Sequence, residues 1–444
     1  MRLTNFTTAT TIQTTFPTDI IPTKRPKTTM ATHHPTHKSH HNHPSHQSLL
    51  PGLPDHIAQL CLSLVPPYTL SSVCNSWRQL IYSPTFPPFL SIYSILLPTQ
   101  TTPTSSSNHH HHNLSNAIQF ASFDPVSSRW HPLPPLPLDP PLRLLPRHPS
   151  FISRNLPVQS VTVSGNLILL AATADQLLPA LSRPLIFNPI NGTWTYGPAL
   201  FTPRRWCASG SLDGVVYVAS GIGSHYNPEV ARSVEKWDLN DHRHNTCLNN
   251  NDTLISSGSI SINNKTAGCS KAITSKILEN SKWGWEKISK LRDAKFSREA
   301  IDAIGWRGKL CMVNVKGDAA KEGIIYNVKN DSWEEMPEGM LLGWRGPAAA
   351  MDEEVIFSVD ESKGLLKRYH PEMDGWSLVV ENVMLKGAQS MAVGGGRACV
   401  VCGGGGAILV VDVVTATPRV WVVEAPQGFE ALDVHILPRM KIDR

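Results

Sequence analysis

Three arginines stand at equivalent places in this 444-residue chain. Arg205, Arg298 and Arg345 each follow a Trp-bearing strand and precede the next apolar one, in the phrases TPRRW, FSREA and GWRGP. Guanidinium groups brought together would suit carboxylates or phosphates, which arginine engages through paired N–H donors. The competing reading is structural, with each arginine tying neighbouring units together through backbone carbonyls.

Other chemistry-bearing residues are weaker signals. Cys399-Val-Val-Cys402 has metal-ligand spacing, but no second pair accompanies it, and residues i and i+3 of a strand face opposite ways. The glycine runs 394–396 and 403–406 lack the Lys-Ser/Thr of a phosphate loop. His148, His225, His370 and His435 are scattered, and no nucleophile–base pattern stands out, so neither a catalytic constellation nor a cofactor is expected.

Something must position the arginines, and the repeats show what. Trp130, Trp194, Trp285, Trp333, Trp376 and Trp421 each close a phrase of apolar strand, polar turn and new strand, for example IIYNVKNDSW. A second phrase, such as VSGNLILLAA or LDGVVYVASG, alternates with it. The uninterrupted units are about 45 residues long, room for four strands each, which describes one propeller blade. Longer units carry inserts at 99–116, 132–157 and 240–282. Thirty-six prolines and twenty-nine glycines with 17% charged residues suit such a turn-dense β protein. The net charge of +5 is mild and dispersed, which disfavours nucleic acid as a partner. No stretch reaches the roughly 18 apolar residues of a membrane span.

Residues 49–83 differ in kind. Leu53, Ile57, Leu60 and Leu64 form one helical stripe, with Pro54 suited to a first turn and Pro66-Pro67 ending the helix. A second stripe includes Leu70, Val73 and Trp77. So short a segment without a disulfide pair rarely closes its own core, so it must dock on something. Residues 1–48 are Thr- and His-rich with few apolar groups, and disorder is expected there. Their first thirty residues read either as a plastid-type targeting segment or as an extension without function.

The repeat phrases resemble the kelch family over about residues 89–437, through glycine-ended strands (VVYVASG, ACVVCGG), a following Tyr- or Phe-bearing strand and the Trp. Leu53-Pro54-Asp55, followed by Val73-Cys74-Asn75-Ser76-Trp77-Arg78, resembles an F-box, although the stretch between them is shorter than usual. Together they resemble plant F-box/kelch-repeat proteins of the Skp-interacting-partner type. The resemblance implies a mainly β fold, a six-bladed kelch propeller preceded by a short α-helical F-box. It implies an adaptor-binding surface of Leu53, Pro54, Ile57, Leu60, Leu64, Leu70, Val73 and Trp77, a Skp-type adaptor and through it a cullin, and a protein substrate held by the propeller. In kelch propellers the strand after each of the three arginines begins near the mouth of the central channel, so they would ring it. The expected role is therefore substrate recognition for a ubiquitin ligase without catalysis, in the cytoplasm or nucleus. The alternatives are a kelch scaffold without ubiquitin function and a propeller oxidase or hydrolase.

Overall fold

The computed structural model describes residues 49–63, 65, 67–81, 83, 86, 89–99, 117–138, 142, 158–173, 178–240, 283–292, 294, 296, 300–315 and 322–440. The expected tail 1–48 and most of the expected inserts 99–116, 132–157 and 240–282 lie outside them.

Alternating apolar residues and tight turns fold the chain from residue 90 onward into antiparallel strands. The first sheet contains β1 (Leu90–Pro98), β2 (Gln119–Asp124) and β3 (Arg129–Pro132). The second is β4 (Val158–Val163), β5 (Asn166–Ala172), β6 (Leu185–Asn188) and β7 (Thr193–Tyr196). The third is β8 (Ala208–Leu212), β9 (Val215–Ala219), β10 (Val234–Asp238) and β11 (Glu286–Lys287). The fourth is β12 (Ala300–Trp306), β13 (Lys309–Val315), β14 (Gly323–Asn327) and β15 (Ser332–Glu335). The fifth is β16 (Ala348–Met351), β17 (Val355–Asp360), β18 (Leu365–His370) and β19 (Gly375–Glu381). The sixth is β20 (Ser390–Gly394), β21 (Arg397–Val401), β22 (Ala407–Asp412) and β23 (Val420–Glu424).

The last strand, β24 (Phe429–Pro438), returns to pair with β1 from Leu90↔Pro438 to Pro98↔Phe429, completing the first sheet. Strands β4, β8, β12, β16, β20 and β24 abut one another in turn around a closed circle. The molecule is a six-bladed β-propeller, whose inner strands end their sheets as short edges protected around the centre.

The turns follow from residue type. Four two-residue hairpins, Ser164-Gly165, Asp213-Gly214, Arg307-Gly308 and Gly395-Gly396, hold both residues at positive φ, the type I′ geometry that matches strand twist, and Asp352 and Glu353 do the same within a three-residue turn. In the turn between the third and fourth strands of most blades a short Asp or Asn side chain folds the chain back, as where Asn188 Oδ1 accepts from the Ile190 and Asn191 N–H groups.

In five blades the repeating tryptophan clamps the blade to the one before. Trp130 donates its indole N–H to Glu424 O, Trp194 to Pro134 O, Trp285 to Pro198 O, Trp333 to Ser289 O and Trp376 to Gly339 O, at 2.9–3.0 Å. Each also meets an aromatic on the adjoining strand: Phe123, Phe187, Trp237, Tyr326 and Tyr369 lie 5.0–5.6 Å away between ring centroids. Trp237 thus fills the tyrosine place that the third repeat lacks. In the sixth blade Val410 faces Trp421, which is 42% exposed beneath the Arg397 guanidinium. Trp333→Phe is therefore expected to cost about 1 kcal/mol for the lost bond, and Trp421→Phe clearly less, as read from urea midpoints.

Candidate partner-binding surfaces

The helical segment comprises α1 (Asp55–Ser63), α2 (Pro67–Val73) and α3 (Asn75–Ile81). Its most recognisable residues act within it. Cys74 Sγ accepts from the Trp77 backbone N–H, capping α3. The Trp77 indole donates to Leu49 O at 3.0 Å, drawing the entering chain across the helices. Arg78 donates from Nε and Nη2 to Ser71 O at 3.0 and 2.8 Å, which ties α2 to α3. Leu62, Leu70, Leu80, Ile81 and Phe86 form a small core, joined at its edge by Trp77, Phe89 and the propeller's Val126.

The expected adaptor-contacting residues therefore divide. Leu53, Ile57, Leu60 and Val73 are 39%, 37%, 60% and 55% exposed, and Pro54 is exposed beside them. Leu70 is instead 1% exposed, inside the core, and Trp77 is half-buried with its N–H already used. Leu70 sits mid-way along α2 and turns into the core, whereas Val73, the last residue of α2, stays open. Leu64 lies outside the described residues.

The segment is fastened to the first blade. Arg439 donates its backbone N–H to Phe89 O at 2.7 Å, sets its guanidinium 5.5 Å from the Phe89 ring, and lies 3.3 Å from Asp124. These contacts, with Val126, sit at the start of β1 and the β2–β3 turn, the side of the ring that carries the two-residue hairpins. Gly165 approaches Pro438 and Gly395 approaches Leu90 there.

The arginines lie on the other side, where chains cross from one blade to the next. Arg204, adjacent to the expected residue, is buried and paired with Glu235, and donates from Nη1 to Ser220 O and Ser233 Oγ at 3.0 and 2.9 Å. Arg205 is bridged to Ile222 by reciprocal backbone bonds of 2.9 Å. Its side chain is 8% exposed, its Nε and Nη1 meet no acceptor, and it stacks 4.4 Å over the Trp206 ring. Burial pushes its guanidinium below the ordinary value. Trp206 adopts φ +54°, unusual for a bulky residue, with its N–H held by Gln159 Oε1 at 3.1 Å. Arg345, by contrast, is exposed and donates from Nε to Leu342 O, in the short helix α5 (Glu338–Gly343) after α4 (Pro228–Arg232). Arg298 lies outside the described residues. Equal spacing did not make Arg205 and Arg345 equivalent, because only one loop buries its arginine.

The inner strands hold one more polar group. Asp433 and His435 of β24 meet Ser160 and Thr162 of β4 and Ser390 of β20. The arrangement is not a nucleophilic triad: His435 Nε2 faces both Ser160 Oγ (3.1 Å) and Asp433 Oδ2 (3.3 Å), whereas a triad histidine uses opposite nitrogens for its base and its carboxylate. Burial would raise the Asp433 carboxyl, but adjoining His435 and the hydroxyls of Ser390 and Ser160 outweigh it and hold it below its ordinary value. A depressed carboxyl contributes stability above the unfolded pKa of about 4 and loses it as pH falls through the folded value. Wild type should therefore lose more stability below about pH 4 than Asp433→Asn does, in urea titrations at several pH values. Cys399 and Cys402 lie in different core clusters on opposite sides of the sixth sheet, and burial pushes the Cys399 thiol up to about 12.

No protein-family model matches the chain. It is 48% identical over 399 residues to the F-box/kelch-repeat protein SKIP25 of Arabidopsis thaliana, spanning 88% of this chain and 90% of that protein. The chain belongs to the F-box/kelch-repeat family. It is also 25% identical to the F-box protein AFR, over 71% of this chain and 69% of that one, and 21% identical to F-box/kelch-repeat protein SKIP4, over 71% of each, both from the same plant. The helical segment is thus the F-box and the ring the kelch propeller. Family and fold together support a substrate-adaptor role. Within the F-box, sequence reasoning missed the interior duties of Leu70, Trp77 and Arg78. In the kelch propeller it missed the Arg204–Glu235 pair, for which the sequence offers no signal beyond an acidic residue in a strand of the same repeat.

Proposed function

We propose that the protein is the substrate-recognition subunit of a Skp–cullin–F-box type ubiquitin ligase. The F-box docks on a Skp-type adaptor, and through it on a cullin, while the propeller holds the protein substrate. The observation that carries this reading is the open apolar face of Leu53, Ile57, Leu60 and Val73, left uncovered although the helices already have a core of their own. A helix face of this kind suits a hydrophobic groove on a partner. Among the described residues the helical segment touches one side of the ring, which leaves the other side for a substrate, and the Arg439 and Val126 contacts limit swivelling between the two.

Under this reading the chain performs no bond-making step. It acts by proximity, raising the local concentration of a substrate lysine near the charged enzyme to about the millimolar range. It works in the cytoplasm or nucleus, supported by exposed free thiols at Cys61 and Cys74. Reconstitution tests the proposal: the full chain mixed with a Skp-type adaptor and a cullin should elute as one complex. Separate elution at micromolar concentrations would remove the ligase reading and leave a kelch scaffold.

A further inference from the structure

We propose that the outer strand of the sixth blade, β23, is a docking edge that takes an extended segment of a partner protein, carrying an acidic and a large apolar residue, as an added strand. This goes beyond the ligase reading and stands whether or not the adaptor binds. The edge arises from a register shift. In the first, second, fourth and fifth blades a four-residue turn sets the Trp opposite the penultimate residue of the third strand, as Phe123↔Trp130, Phe187↔Trp194, Tyr326↔Trp333 and Tyr369↔Trp376. In the sixth, Asp412 donates its N–H to Arg419 O across a turn of six residues, 413–418, and the Trp comes one place late. Val420 stands opposite the penultimate Val411, and Trp421 pairs with Val410. A slip of one residue turns a strand side chain to the other face. Val411 packs against the fifth blade and Val410 against the first, so Trp421 faces away from the blade it would have clamped. Its indole N–H meets no acceptor among the described residues, and it is 42% exposed.

A second observation is independent of the first. Sheet edges are ordinarily blunted by charge, by proline or by a cover. Here β3 carries Arg129 and Pro132, β11 is Glu286–Lys287, β15 ends in two glutamates, and β19 lies against α5. Pro134 and Pro137 cover β7, their carbonyls accepting from the Trp194 indole and the Tyr196 hydroxyl. By contrast β23 runs Val420-Trp421-Val422-Val423 without a charge, and Val422 is 49% exposed. Val414 and Leu90, exposed as well, meet the Gly395-Gly396 hairpin at one end of the same sheet. Among the described residues nothing covers this edge.

The edge selects its occupant. An added strand supplies main-chain donors and acceptors to β23 and, with them, a carbonyl of the kind that the other five indoles already hold. Charge places the acid. The Arg397 guanidinium lies 5.1 Å from the Trp421 ring centroid and has no hydrogen bond or ion pair among the described residues. Arg419 is exposed where the strand begins. Against these two cations stands Asp412, whose Oδ1 already accepts from the Val414 and Thr415 N–H groups, while Glu424 lies at the far end of the strand. A carboxylate therefore fits at the turn end of β23, with a large apolar side chain against Trp421. Trp and Arg are the residue types that most often carry the energy of a protein interface.

A displayed library of random short peptides, selected on the full chain and counter-selected on Trp421→Ala, supplies the probe. Val422→Lys, which puts a charge at an exposed place on the edge, gives a second variant should Trp421→Ala melt early. Surviving peptides should carry Asp or Glu together with a large apolar residue. By fluorescence anisotropy they should bind at least about tenfold more weakly to Trp421→Ala and to Val422→Lys, and about threefold more weakly to Arg397→Gln. Leu378→Ala, at an exposed apolar place on β19, should change binding less than about twofold. No peptide that separates the wild type from both edge variants, or survivors without an acid, would overturn the proposal. So would a wild-type dimer that Val422→Lys dissolves, because β23 would then pair with a second copy of the chain. Adaptor co-elution is a separate measurement, so failure here leaves the ligase reading standing.

Discussion

Ile57→Asp combined with Leu60→Asp should weaken binding to a Skp-type adaptor by at least about a hundredfold while leaving the propeller's melting transition in place. Each side chain is substantially exposed, so neither change disturbs the F-box core of Leu62, Leu70, Leu80, Ile81 and Phe86. Burying an aliphatic side chain at an interface contributes roughly 1.5–3 kcal/mol, and 1.4 kcal/mol is a factor of ten. Two losses, with two carboxylates left facing an apolar groove, put the hundredfold figure at the low end. Calorimetric titration with purified adaptor measures it, and binding within threefold of wild type would show that another surface makes the contact. Trp77→Phe gives the contrast. It loses the bond to Leu49 O and should cost about 1 kcal/mol of F-box stability, with any loss of adaptor affinity following from unfolding.

The second large effect lies in the third blade. Glu235→Ala should destabilise the propeller by about 3–5 kcal/mol, because it strands the buried Arg204 charge. It also removes the acceptor for the Phe201 N–H. The double variant Arg204→Met, Glu235→Leu should recover most of the loss, since an apolar pair of similar volume has no charge left to desolvate. Urea unfolding of both variants decides the matter; a single variant within 1 kcal/mol of wild type, on the order of a surface change, would mean that water reaches Arg204. Arg205→Met in the same experiment should be neutral, the opposite response from the next residue in the chain.

The F-box shows how far spacing can be trusted. Ile57 and Leu60 follow helical periodicity within α1, Leu53 stands two residues before it, and the structure leaves all three outward. By spacing Leu70, Val73 and Trp77 form one further stripe, but the chain breaks between Val73 and Asn75, so two short helices set the directions of Val73 and Trp77 independently. The arginines mark a similar limit. Their spacing within the repeat is legible; whether each guanidinium is buried or exposed depends on how its own crossing loop folds, Arg205 over Trp206 and Arg345 back onto Leu342.

By itself the sequence determined the blade, because everything a blade needs is local: a two-residue turn, alternating strands, an acceptor in the polar turn and a Trp one strand later. It also announced a helical segment of another kind before the ring. Tertiary structure alone decided that β24 would close the ring on β1, that Val126 and Arg439 would anchor the F-box to one side, and that Arg205 would remain unpaired on the other. The first two of these outcomes join residues hundreds of positions apart, and pairing at such range is settled by which surfaces the closed ring presses together, which no local pattern encodes.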